Sequence, residues 1–433
     1  MHKSSSRRMI ETTTSSPRIR PRIGLVLGGG ALKGLAHIGA LRALREAGIR
    51  PRLYAGTSIG AMIAAAAASG RSVEDLEERA LNFKRRDLFR INHVGMLMER
   101  MLSRSIYLEA PLRDLCDELV AEGTFDDLEA ALLVTAVDLE QGVPVVFGRP
   151  GLRDVRVRDA VYASCALPGF FPPGLVGART CIDGGTTDNL PVAIASMGVD
   201  ALVAVDVGVA DVPLARGVAS EGFASIFMRA ATLMMHQQQQ QALERWTTPP
   251  MLLVRPRVSS IGWFSFAHTK ELIAIGYEAT RDALEELDAL LRAPGGIWPR
   301  RPVQINVDRE KCTGCAMCVA RAPEVMALDE QKKAYPIARI HDWSPADGAF
   351  VRICPVDAIT VSRMPVLDGT RAERPGKRAN AENAVDAATP VKGIRSKSTQ
   401  APATVVAVPA GSGNGNGTDP ADTSEDEITG SAE

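Results

Sequence analysis

Two groups of residues in this chain have the types and spacing to do chemistry. One is Ser58, set in Gly56-Thr57-Ser58-Ile59-Gly60. Glycines on both sides of a serine let the chain bend sharply between a strand and a helix and leave the hydroxyl exposed, so Gly56 and Gly60 would form a nucleophile elbow. The other group is Cys312, Cys315 and Cys318, with Cys354-Pro355 further on. A C-x-x-C-x-x-C triplet with a distant Cys-Pro is the ligand spacing of a 4Fe-4S cluster. One pattern points to ester hydrolysis and the other to electron transfer.

The serine does not stand alone. Gly28-Gly29-Gly30-Ala31-Leu32-Lys33-Gly34 also follows a strand pattern and opens a helix, and Ser58 comes 28 residues after Gly30. Consecutive strand-to-helix turns of a parallel sheet open at the same edge, so this loop and Ser58 should be neighbours. Backbone N–H groups there would stabilise an oxyanion, and losing one such donor costs about 3 kcal/mol of transition-state stabilisation. Nucleotide binding is the competing reading, but the loop lacks both G-x-x-x-x-G-K-S/T and G-x-G-x-x-G spacing. A third piece, Asp183-Gly184-Gly185, ends another short apolar run. A carboxylate there acts as a base only in a dry pocket that raises its pKa from about 3.9, and a D-G-G by itself is more often a turn.

These residues need a frame. Short apolar runs at 23–27, 52–55, 131–137, 201–207 and 251–254 alternate with helical patterns at 35–47, 61–68, 223–246 and 270–292. Such alternation predicts an α/β fold, a mostly parallel sheet with helices on both faces. The glutamine run at 237–241 reads as the solvated face of its helix. Pro and Gly at 293–302 break the pattern before the cysteines, and 303–307 and 358–361 read as the strands of a small α+β domain. The expected divisions are a basic disordered tail (1–21), a large domain (22–298), a cysteine-bearing domain (299–363) and a disordered tail (364–433).

Composition sets outer limits. The chain has 433 residues, 45% hydrophobic, with 50 Lys and Arg against 51 Asp and Glu. That balance implies no general attraction to nucleic acid. No apolar run reaches membrane-spanning length and the N-terminus lacks an apolar signal region, which leads us to expect a cytoplasmic protein. Cys116, Cys165 and Cys181 are scattered, as suits a reducing compartment.

The glycine loop, Ser58 and Asp183, with Leu35-Ala36-His37-Ile38-Gly39-Ala40-Leu41, Ala163-Ser164-Cys165-Ala166-Leu167-Pro168 and Phe171-Pro172-Pro173, resemble the patatin-like phospholipase family over about residues 22–292. The resemblance implies a Ser-Asp dyad: Ser58 attacks the acyl carbonyl, Asp183 takes its proton, and Gly29, Gly30, Ala31 and Lys33 form the oxyanion hole. Ala31 stands where many members have a third glycine, and Lys33 where Arg is more usual. A Ser-acid-His triad using His236 or His268 is the alternative. His37 reads as a packing or surface residue. Met96, Leu97, Met98, Met101 and Leu102 suit either core packing or contact with acyl chains.

Residues 303–363 resemble single-cluster bacterial-type ferredoxins, ending in Cys354-Pro355-Val356-Asp357-Ala358-Ile359. The implied cofactor is one 4Fe-4S cluster on Cys312, Cys315, Cys318 and Cys354; a zinc site is the competing reading. The expectation is an acyl-ester hydrolase acting on phospholipid or lysophospholipid, peripheral to membranes, with an electron-transfer partner and no nucleic acid. The alternative is a redox sensor or electron carrier whose hydrolase-like domain binds lipid or a partner without turnover.

Overall fold

The computed structural model of the protein describes residues 21–93, 105–208 and 217–364. The two expected tails, apart from Pro21 and Met364, and the Met96 to Leu102 stretch lie outside these. The first apolar run forms β1 (Ile23–Leu27), followed by helix α1 (Ala36–Glu46), β2 (Leu53–Gly56) and helix α2 (Ile59–Ala68). With β3 (Ala131–Asp138), the antiparallel β4 (Val143–Phe147), β5 (Gly174–Val176), β6 (Arg179–Asp183), β7 (Ala201–Val205), β8 (Met251–Val254) and β9 (Ile297–Trp298) they make one nine-stranded sheet. Its spine β3-β2-β1-β7-β8-β9 is parallel.

Strand alternation divides the core. Leu25, Leu27, Val203, Val205, Leu252 and Val254 enter one cluster with α1, α2 and helix Thr269–Leu284, while Val26, Leu202, Ala204 and Leu253 enter another across the sheet. Side chains of period two therefore bury both faces, as a sheet covered on both sides requires.

The register of β3 positions the site. Residues 134–138 of β3 pair with β4 along one edge. The remaining edge is shared end to end by β2, opposite residues 131–134, and β6, opposite 136–138. Gly56 faces Val134 and Asp183 faces Ala136. The end of β6 thus lies level with the turn that leaves β2, which carries Ser58.

One sequence expectation needs correction. The single helix expected over 270–292 is two, Thr269–Leu284 and Leu287–Arg292: the Glu286 amide turns back to the Ala283 carbonyl, and its carboxylate pairs with Arg301. The helical pattern stops before 293–302 as expected, and within that stretch apolar Ile297 and Trp298 complete the sheet edge as β9, with β10 (Arg301–Val307) starting three residues later.

The smaller region places β10 between β13 (Ile340–Trp343) and β14 (Ile359–Arg363), with a hairpin of β11 (Met326–Leu328) and β12 (Ala334–Pro336) beside them. Ile305, Met326, Phe350 and Ile359 pack with Cys312 and Cys318 in its own core. It is also joined to the large sheet. Ala346 belongs to the core cluster of the second sheet face, and Arg321 pairs with Glu244.

Candidate functional site

Ser58 occupies the residue before α2 with φ 57° and ψ −129°, a backbone region that a non-glycine residue adopts only at some cost. The surrounding glycines permit this bend. A Cβ on Gly60 would stand 2.1 Å from the Leu27 carbonyl oxygen, and one on Gly56 would stand 2.5 Å from the Ala61 amide. The turn is held on three sides. The Ser58 amide donates to Ser164 Oγ at 2.9 Å, Thr57 Oγ1 lies 2.7 Å from Thr135 Oγ1, and Thr57 Oγ1 donates to the Asp188 carbonyl. The hydroxyl therefore sits at the N-terminus of a ten-residue helix, whose dipole favours developing negative charge.

Asp183 ends β6 and is 4% exposed. Its Oδ1 accepts the Gly185 amide at 2.8 Å. Burial pushes its carboxyl up to about 6, against the smaller opposing pull of the Ser58 hydroxyl and the Gly185 amide. The Ser58 hydroxyl thus acts on a carboxylate whose raised pKa suits it to accept a proton near neutrality. Neither His236 nor His268 is among the groups acting on Asp183; His268 Nδ1 lies 2.6 Å from Ser265 Oγ.

The glycine loop runs alongside. A Cβ on Gly29 would stand 3.4 Å from Ser58 Cβ. The Gly28 amide donates to the Val205 carbonyl and the Gly29 amide to the Asn189 carbonyl. The amides of Gly30 and Ala31 have no acceptor among the described residues, and Ala31 takes φ 48° where glycine would be at ease. Lys33 is 5% exposed, and its ammonium lies 5.2 Å from the centre of the Trp263 ring; burial holds it below its ordinary value.

His37 is wholly buried, contrary to a surface position, and its Nε2 lies 2.8 Å from the Gly28 carbonyl oxygen. A carbonyl only accepts, so Nε2 carries the proton. Burial lowers its pKa to about 4, which keeps the ring neutral as a brace under the loop.

Four residues of this neighbourhood were not assigned a role from sequence: Ser164, Thr135, Asn189 and Gln239. Gln239 corrects the reading of the glutamine run as a solvated face. It is 5% exposed, taking Asn189 Nδ2 on its oxygen and giving its nitrogen to Asp206. An amide that both donates and accepts is readily buried when both ends are met. Helical phase carried the signal, since Gln239 lies four residues before buried Leu243.

Cys312, Cys315, Cys318 and Cys354 line one pocket. Positive φ at Gly314 and Ala316 wraps the triplet around it. Cys312 Sγ accepts the Ala334 amide at 3.5 Å and Cys354 Sγ the Ala358 amide at 3.3 Å. Amide donors on sulfur favour thiolate, the state in which cysteine binds iron. Among the described residues no three His, Cys, Asp or Glu groups converge as ligands of a single ion. Four cysteine thiols lining one pocket are a donor set that fits a 4Fe-4S cluster.

Comparison with known proteins finds a family model for each region. Residues 25–196 match the model of the patatin-like phospholipases, and residues 305–361 that of the 4Fe-4S single cluster domain. The chain is similar to Lysophospholipase NTE1 of Coccidioides immitis, at 28% identity over 69% of this chain and 19% of that protein. It is also similar to an uncharacterized NTE family protein of Mycobacterium tuberculosis, at 33% identity over 45% of this chain and 52% of that one. It therefore spans about a fifth and about half of these curated relatives. Among solved structures, VipD from Legionella pneumophila aligns with a TM-score of 0.33 at 16% identity, over 62% of this chain and 67% of that one. The chain joins a patatin-like phospholipase domain, at residues 25–196, to a 4Fe-4S single cluster domain, at residues 305–361.

Proposed function

We propose that the protein hydrolyses acyl esters of phospholipids or lysophospholipids through a Ser58-Asp183 dyad. The observation that carries this reading is a buried carboxylate, with its pKa raised to about 6, acted on by the hydroxyl of a serine on a strained strand-to-helix turn. The lysophospholipase relatives support the substrate class.

In this reading Ser58 Oγ attacks the acyl carbonyl while its proton passes to Asp183. The carbonyl oxygen becomes an oxyanion facing the free amides of Gly30 and Ala31. Gly29 acts through its close approach to Ser58, and Lys33 adds positive charge beside the loop. Collapse breaks the ester C–O bond, and the departing alcohol takes the proton back from Asp183. Water, deprotonated by Asp183, then attacks the acyl-Ser58 ester, releasing the fatty acid and restoring the hydroxyl.

Cys312, Cys315, Cys318 and Cys354 would hold one 4Fe-4S cluster, which supplies one-electron transfer when bound. Among the described residues no helix is long and apolar enough to cross a membrane, and substrate is met by peripheral contact with lipid. An electron-transfer partner follows from the cluster.

The test is hydrolysis of a fluorescent lysophospholipid by anaerobically purified protein and by Ser58→Ala. A loss of at least a thousandfold in kcat with an unchanged melting temperature is expected. Turnover retained in Ser58→Ala, or its absence from the parent protein with an intact cluster, would refute the reading; the latter would favour the sensor.

A further inference from the structure

Asn189 grips the residue Gly29 from two sides. Its main-chain carbonyl accepts the Gly29 amide at 2.9 Å, and its side-chain Nδ2 donates to the Gly29 carbonyl at 3.2 Å. A trans peptide is planar, with C=O and N–H pointing in opposite directions. Fixing the Gly29 carbonyl therefore aims the Gly30 N–H the other way.

The Asn189 side chain is held in turn. Its Nδ2 also donates to Gln239 Oε1 at 3.3 Å, Gln239 Nε2 donates to Asp206 Oδ2 at 2.6 Å, and Arg255 Nε donates to that same oxygen at 3.1 Å. Arg255 Nη1 then donates to the carbonyl of Pro345. Asn189 and Gln239 are under 8% exposed and Asp206 is fully buried, so water does not replace these partners. Arg255 Nη2 is buried without an acceptor among the described residues, which leaves Asp206 and Pro345 as the anchors of the guanidinium.

Pro345 belongs to the cysteine-bearing region. Its turn is fastened by Asp347 Oδ2 accepting the Ser344 amide, and leads through helix Ala349–Arg352 to Cys354. Phe350 of that helix packs in the core that holds Cys312 and Cys318. One buried line of hydrogen bonds thus runs from the edge of the cluster domain to the glycine loop beside Ser58.

We infer that Gln239 and Arg255 are positioning residues for the oxyanion loop, and that through them the cluster domain sets the direction of the Gly30 amide. This rests on the acyl-transfer reading of the site. The residues touch no reacting atom; they hold Asn189, which holds the peptide. A donor turned away from the oxyanion loses transition-state stabilisation while leaving ground-state binding nearly intact.

The experiment is a double-mutant cycle on the full, cluster-loaded chain with Gln239→Met and Arg255→Met, read by kinetics and by hydrogen exchange of the 28–32 amides. Each variant should lower kcat about tenfold or more with KM within about twofold, and the double variant should be no slower than the slower single one. Exchange at 28–32 should quicken in each. Removing the cluster from the parent chain, followed by loss of its visible absorption, should quicken the same amides, and should add nothing in Arg255→Met. Multiplicative losses in the double variant, an effect on KM alone, or unchanged exchange would overturn the inference. If Arg255→Met does not fold, Arg255→Lys keeps the charge on Asp206 without the fork to Pro345 and carries the same comparison. A parent chain without ester turnover would refute the acyl-transfer reading, while the exchange comparison would still decide the relay.

Discussion

At the scale of single residues, Asp183 makes the sharpest demand on the fold. Its folded pKa of about 6 lies above the ordinary carboxyl value because burial disfavours the charge. A carboxyl raised in this way is favoured on folding in its protonated form. Its ionisation therefore costs stability above about pH 6, and the cost disappears as the pH falls toward the unfolded value. Asp183→Asn, which keeps an oxygen for the Gly185 amide, should abolish turnover yet raise stability at pH 8 by roughly 2 kcal/mol, and bring no gain at pH 4. Urea melts at the two pH values would show this; equal stabilities at pH 8 would mean that the carboxylate is not strained there. Ser58, Asp183 and the glycine loop were legible in the sequence because each sits where an apolar run stops beside glycine. Asn189 and Gln239 were not, since their partners lie 160 and 33 residues away and polar side chains do not announce their burial.

At the scale of elements, β3 does most of the positioning. The parallel spine followed from alternating apolar runs and helical patterns, and strands β1, β3 and β8 start where the sequence placed them. What alternation did not convey is that β6 runs antiparallel and takes over the edge of β3 where β2 leaves it. That sharing depends on register between segments more than 75 residues apart in sequence, such as Gly56 and Val134. Helix Val157–Cys165 adds the other constraint, since its Ser164 Oγ accepts the Ser58 amide at 2.9 Å. Ser164→Ala would leave that amide without its acceptor at a fully buried site, a loss of about 1–3 kcal/mol of stability. It should also lower kcat about tenfold by loosening the turn, with KM little changed. Thermal melts and steady-state kinetics would measure both, and a variant matching the parent in each would show that the turn holds itself.

At the scale of the whole molecule, the sequence pattern places a boundary at 293–302, and the structure shows contacts that join the two regions across it. Ala346 enters the core cluster of the large sheet, Arg255 reaches Pro345, and Arg301 and Arg321 pair with Glu286 and Glu244. Such contacts join residues distant in sequence and leave no periodic trace, which is why the sequence showed the boundary and not the contacts across it. Losing the cluster should then be felt in the hydrolase region. Cys354→Ser should lose iron and lower the melting temperature of the large sheet by about 5 °C in a single coupled transition. Calorimetry that shows an unchanged hydrolase transition would mean that the regions are merely adjacent.

Hydrolysis by the dyad requires a covalent acyl-Ser58 whose formation needs ionised Asp183. The most direct measurement is the rate at which a slowly turning acyl ester labels the protein between pH 4 and 9, followed by mass spectrometry of the labelled peptide. An acyl group on Ser58 alone is expected, with a rate that climbs through about pH 6 to a plateau and vanishes in Asp183→Asn. Label on another residue, or a rate on Ser58 that is flat across this range, would contradict it.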